Sequence, residues 1–156
     1  MTQPTFFDQV KKHFHYLIEQ YGFLVIHEEV FPSFDNAEVV FQSHDCRIRV
    51  LRERGEIYVD ASPLPPTDYW VDLVSIIRFL TRGTDTWQYE HISGDYEFRI
   101  EWQLARVADK LRPYIKQICE LFRNEVFARK RSELEEFKHQ QFVEKWGKYL
   151  TTGDYR

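Results

Sequence analysis

The sequence predicts an α+β fold: an N-terminal helix, an antiparallel meander of about four strands, a buried helix, and a C-terminal helical hairpin or kinked helix pair. Three observations carry this. Apolar residues recur every three or four positions over residues 5–21, again from Tyr69, and again from Asp95, but alternate with polar ones between Phe23 and Ala61. The dipeptide Arg54-Gly55 divides two alternating runs, as a hairpin requires. Pro63, Pro65 and Pro66 close the alternating region, because they remove ladder donors and fix φ.

In the first segment Phe7, Val10, Phe14, Leu17, Ile18 and Tyr21 share one side of a helical wheel, with Lys11, Lys12, His15 and Glu19 elsewhere. Thr5 and Asp8 have the spacing of a capping pair, and Gly22 is the stop. Phe23 to His27 reads as a first strand, followed by turn chemistry at Pro32, Asp35 and Asn36 and a second strand over residues 37–42. Cys46, Ile48 and Val50 alternate with Arg47 and Arg49, while Ile57, Val59 and Ala61 alternate with Tyr58 and Asp60. A turn at Arg54-Gly55 sets Arg49 opposite Asp60 and Leu51 opposite Tyr58, with Val50 and Val59 on the buried face.

The sheet is expected to end at Ser62. Thr67 and Asp68 then offer an N-cap to a mostly apolar helix over residues 69–80, with Gly83 behind it. Residues 84–94 carry no period. From Asp95 a stripe of Ile100, Leu104, Val107, Leu111, Ile115, Ile118 and Phe122 marks helix, interrupted at Pro113 by a kink or a junction. Beyond Phe127 the apolar positions thin to Leu134, Phe137, Phe142, Val143, Trp146, Tyr149 and Leu150. They stand among ion pairs at i,i+4 such as Arg131/Glu135 and Glu144/Lys148. That helix is half exposed or packs on a partner, self-association included. The whole reads as one domain over 1–156, with a core over 5–82 and a helical part over 95–150, a size that buries about two thirds of the unfolded surface.

Composition excludes several classes. With 43% hydrophobic and 29% charged residues the chain is neither disordered nor low-complexity. A net charge of −4 gives no uniform positive field for nucleic acid or an anionic membrane. No apolar run is long enough to cross a bilayer. The first residues lack a secretory pattern and Cys46 and Cys119 lie far apart in the chain, so a reducing cytoplasm is expected.

Metal sites need converging ligands, yet His13 and His15 point about 200° apart on a helix, and His27, His44, His91 and His139 stand alone in sequence. No metal and no cofactor is expected. Cys46 alternates with core positions and Cys119 lies near the apolar stripe, and neither has a nucleophile's neighbourhood. The glycines are dispersed and form no phosphate cradle, and no strand carries the lysine of a carboxylate-lysine nuclease site. Asp60 beside Arg49 reads as a cross-strand ion pair on the exposed sheet face.

Two constellations remain as binding candidates. Arg47 and Arg49 project from one strand face and Arg52 and Arg54 continue into the hairpin, with Tyr58 and Asp60 across from them. Arginine forks suit phosphate or a carboxylate-rich protein surface. The alternative is a solvated face balanced by Glu53, Glu56 and Asp60. The second constellation is acidic and aromatic: Glu28, Glu29, Phe31, Phe34 and Asp35 in the turn after the first strand, with Trp87, Tyr89 and Glu90 in the irregular stretch. Rings supply contact area and acids steer a basic partner. The chain is rich in such rings, with 9 Tyr and 4 Trp whose polar ends need partners.

The order Tyr21-Gly22-Phe23, Cys46-Arg47-Ile48-Arg49-Val50, Ile57-Tyr58-Val59-Asp60 and Trp70-Val71-Asp72-Leu73 resembles small uncharacterised bacterial proteins of the immunity type, over residues 5 to 82. The resemblance implies a non-catalytic cytoplasmic protein that binds a partner protein, such as a toxin. Its competitors are a nucleic-acid-binding component using the Arg47 to Arg54 hairpin, and an enzyme whose site is dispersed along the chain.

Overall fold

The structure is a computed structural model that describes residues 4–152, with side chains through residue 147. Its elements run α1 (Phe6–His13), α2 (His15–Tyr21), β1 (Leu24–Val30), β2 (Ala37–Gln42), β3 (Cys46–Glu53), β4 (Glu56–Pro63), β5 (Val71–Asp72), α3 (Leu73–Leu80), α4 (Tyr96–Leu111), a 3-10 turn (Arg112–Tyr114), α5 (Ile115–Leu121) and α6 (Asn124–Thr152). The fold is α+β, as the sequence predicts.

Both ends of the first helical segment fall where expected. Thr5 and Asp8 form a reciprocal capping box, and Gly22 adopts the left-handed conformation at φ +72°. The segment is nevertheless two helices. Phe14 leaves helical geometry at φ −102° and ψ 17°, and the Leu17 N–H bonds to its carbonyl, one residue tighter than an α-helical bond. The break buries Phe14 completely between the two halves and the sheet, in ring contact with Tyr16 and Phe41.

All five strands form one antiparallel meander in the order β1-β2-β3-β4-β5. Arg49 pairs with Asp60, Val50 with Val59 and Leu51 with Tyr58, the predicted register. Arg54 and Gly55 both have positive φ, 52° and 78°, the signature of a type I′ turn whose twist matches the strands. A Cβ at Gly55 would sit in contact with the Tyr96 ring at 3.4 Å, so the positive φ is what favours glycine there. The sheet does not end at Ser62. β4 continues to Pro63, since a proline at a strand terminus sacrifices no central bond, and the chain then turns back to lay Val71 and Asp72 beside Ala61 and Asp60.

That return strand also shifts the next helix. α3 begins at Leu73, not Tyr69, and its cap is Asp72, whose carboxylate accepts the Val74 N–H at 2.9 Å. Asp68 instead accepts the Trp70 indole N–H. Residues 84–94 are irregular, as expected. Pro113 lies in the 3-10 turn, at the junction of two helices that the sequence allows for, and a further break at the buried Phe122 separates α5 from the long α6.

One face of the sheet carries Val39, Phe41, Cys46, Ile48, Val50, Ile57, Val59 and Ala61, all essentially inaccessible. It packs with Val10, Phe14, Leu17, Ile76, Ile100, Leu104 and Ile118 in one hydrophobic cluster that reaches from Phe6 to Leu134. α6 joins it through Phe127 and Leu134, with Phe137 set edge-on to Phe79. Further along, Phe142, Val143 and Trp146 are exposed. Lys148, Tyr149 and Leu150, assigned from the sequence to an ion pair and to apolar positions, lie outside the described side chains. Among the described residues no helix is long and apolar enough to cross a membrane.

Candidate functional site

The two edges of the sheet are built differently. On the β4 side, β5 covers only Asp60 and Ala61, and side chains complete the cover. The Ile57 N–H donates to Gln103 Oε1 at 3.1 Å, and the Val59 N–H donates to the Tyr89 hydroxyl at 3.1 Å. Edge donors that would otherwise recruit another strand are thus occupied. On the opposite side β1 has seven residues and, among the described residues, a single strand neighbour, β2.

β1 is also where apolar side chains meet solvent. Leu24 is 67% exposed, Ile26 51% and Val30 56%. Glu28 and Glu29 belong to this strand, not to the turn after it, because β1 runs on to Val30, three residues past the expected strand Phe23 to His27. Glu28 is held by Lys11 of α1 at 2.9 Å. The turn beyond carries Phe34, 65% exposed, with φ +55° at Phe34 and +56° at Asp35. Two successive non-glycine residues in the left-handed region are strained, and a bulky ring there is uncommon. Asp35 secures them: its carboxylate accepts from Arg52 and from the Tyr96 hydroxyl, and its carbonyl from Arg52 Nε at 2.7 Å. With burial, the Asp35 carboxylate pushes the Tyr96 phenol up to about 12. Phe34 is displayed over the Arg54 guanidinium at 4.3 Å.

The arginines do not form one free ribbon. Arg47 and Arg49 share a face, but Arg52 lies on the opposite, helix-covered face, opposite Ala37 and Ile57. Arg47 donates to the carbonyls of Pro63 and Thr67 and to Ser62 Oγ, and burial lowers its pKa from the usual value. Arg49 donates through Nε and Nη2 to Asp60 Oδ2, at 3.2 and 2.6 Å. Both guanidiniums lie against the Trp70 ring, at 4.7 and 4.2 Å, while Arg52 lies over Phe6 at 4.6 Å. Asp60 is buried rather than on an exposed face, since Trp70 and β5 cover its neighbourhood. To meet a phosphate, Arg47, Arg49 and Arg52 would have to abandon these partners.

Trp87 and Tyr89 are partly buried against the core and stand at the β4 edge, away from Glu28, Glu29 and Phe34. Tyr89 packs edge-on against Tyr58 and Trp87, and its hydroxyl donates to Asp72 at 2.6 Å. Burial and that carboxylate push its phenol pKa far up. Asp72 is itself raised by burial, against the two hydrogen bonds it accepts. The second constellation is therefore split between the two edges. Gln103, which closes one of them, carries no sequence signal: a glutamine on a helix stripe reads as a surface residue.

His27 does not stand alone. Its Nε2 lies 3.0 Å from Glu29 Oε1 and 3.2 Å from Glu38 Oε1. The cluster depends on a β-bulge between Val25 and His27, which turns His27 away from the core face that Val25 shares with Phe41. Away from the sheet edges, a cleft of about 880 Å³ lies between α3, α5 and α6, lined by charged residues of both signs, among them Arg82, Glu120, Lys130 and Glu136. Cys46 is buried and Cys119 half-buried, and both are free thiols.

No protein-family model, curated protein or solved structure matches the chain.

Proposed function

We propose that the chain is a non-catalytic protein-binding module of the immunity or antitoxin type, acting in a reducing bacterial cytoplasm and receiving a basic partner protein along β1. The asymmetry of the sheet edges carries this reading: one edge is sealed by Gln103, Tyr89 and β5, while the other presents Leu24, Ile26 and Val30 to solvent. An extended partner segment adds main-chain hydrogen bonds to such an edge, and its side chains meet the flanking apolar groups. Glu28 and Glu29 favour a basic segment, and the strained, exposed Phe34 supplies a ring anchor at the Val30 end. The distal half of α6, with Phe142, Val143 and Trp146 exposed, offers a second surface for another copy of the chain.

The arginine contacts weigh against the nucleic-acid alternative. The test is to mix the chain with the basic protein encoded beside it and measure the complex by size exclusion with light scattering. A stoichiometric complex is expected, weakened at least tenfold by Ile26→Lys. A complex indifferent to Ile26→Lys and Val30→Lys, or none at all, sinks the reading.

A further inference from the structure

We infer that His27, Glu29 and Glu38 form a binding site for a divalent transition-metal ion that clamps edge strand β1 to β2. The donor set is one imidazole nitrogen and two carboxylate oxygens, and the three atoms lie within 4.8 Å of one another. Around an ion with bonds near 2.0–2.2 Å, tetrahedral ligand atoms stand about 3.3 Å apart. The Nε2-to-oxygen separations of 3.0 and 3.2 Å are close to that spacing.

Charge points the same way. Glu29 and Glu38 are directly opposite each other across the β1–β2 ladder, an arrangement that repels. Neighbouring acids have a cationic partner: Glu28 has Lys11, Asp35 has Arg52 and Asp60 has Arg49. Among the described residues, Glu29 and Glu38 have neither Lys nor Arg within ion-pair distance, and share the single imidazole of His27. One Nε2–H is a poor bridge for two carboxylates, since it carries a single proton. A divalent ion between the three offsets both charges and needs no proton.

Placement suits the task. The ladder fixes the Glu29 and Glu38 backbones against each other, the bulge turns His27 onto their face, and Glu38 is only 16% exposed. Three protein ligands leave a fourth position open to water. The ion would tie the sheet's exposed strand to its neighbour, with Glu29 shared between this site and the face proposed for a basic partner.

The test uses the full chain without an affinity tag, titrated calorimetrically with Zn²⁺ alone. One ion per chain is expected, with affinity falling at least tenfold in His27→Ala and in Glu38→Gln. His91→Ala removes a histidine–carboxylate pair at the β4 edge, in which, among the described residues, His91 meets only Glu56, and should leave the affinity unchanged. Far-UV circular dichroism establishes that each variant folds. Absence of one-to-one binding, or equal affinity in the wild type, His27→Ala and Glu38→Gln, overturns the assignment.

Discussion

Gln103 stands in for a missing strand beside Ile57. Its Oε1 accepts the Ile57 N–H at 3.1 Å, and its Nε2 donates to the Gly55 carbonyl at 3.2 Å. Gln103 is buried, so Gln103→Leu would strand a backbone donor and an acceptor away from water. The expected loss is about 1–3 kcal/mol, read as a lower urea midpoint with an unchanged m-value. A loss under about 0.5 kcal/mol would mean that water reaches this edge.

Arg49→Ala should cost about 2 kcal/mol in the same assay, because it leaves the Asp60 carboxylate buried beside Asp72 without its cation. Partial exposure of Arg49 keeps the figure below the range for fully buried pairs. Adding Asp60→Asn should recover most of the loss. Failure of the double variant to recover would assign the cost to the Trp70 stacking instead.

Asp85 makes stability depend on acid. Hydrogen bonds from Lys110 and Tyr114 hold its carboxyl at about 2, below the ordinary 3.8. A group depressed on folding stabilises fully above its unfolded value and loses that contribution as pH falls through the folded one. The stability gap between wild type and Asp85→Asn should therefore be constant above 3.8 and close as pH falls towards about 2. Denaturant unfolding across that range measures it, and a gap that persists at the acid end refutes the assignment.

Phe34→Asn separates stability from binding. Asparagine tolerates the left-handed region better than phenylalanine, so stability should hold or rise by up to about 1 kcal/mol. Partner affinity should fall with loss of the exposed ring. Unchanged affinity would remove Phe34 from the interface.

Self-association through α6 is tested by light scattering over a concentration series. Apparent mass should rise with concentration in the wild type and not in Phe142→Glu. A concentration-independent monomer rules it out.

β3 and β4 were legible because alternation, the Arg54-Gly55 turn and cross-strand pairing all specify one register. β5 was not, since two residues display no period, and Tyr69 and Trp70 continue an apolar run behind a plausible Thr67-Asp68 cap. The arginines' partners were equally hidden: Trp70 lies in the loop before β5 and Phe6 on α1, and sequence spacing says nothing about which ring meets which guanidinium. His27 and Glu38 are 11 positions apart and meet only through the register set by the bulge. The capping box and Gly22 were readable because their chemistry is local.

The short β5 has one more outcome. With that flank plugged, strand addition is directed to β1, and two chains that join edge to edge there use up each other's open strand. Growth of the sheet by that route ends at the pair, so an apolar border shown to solvent does not by itself lengthen into a continuous sheet.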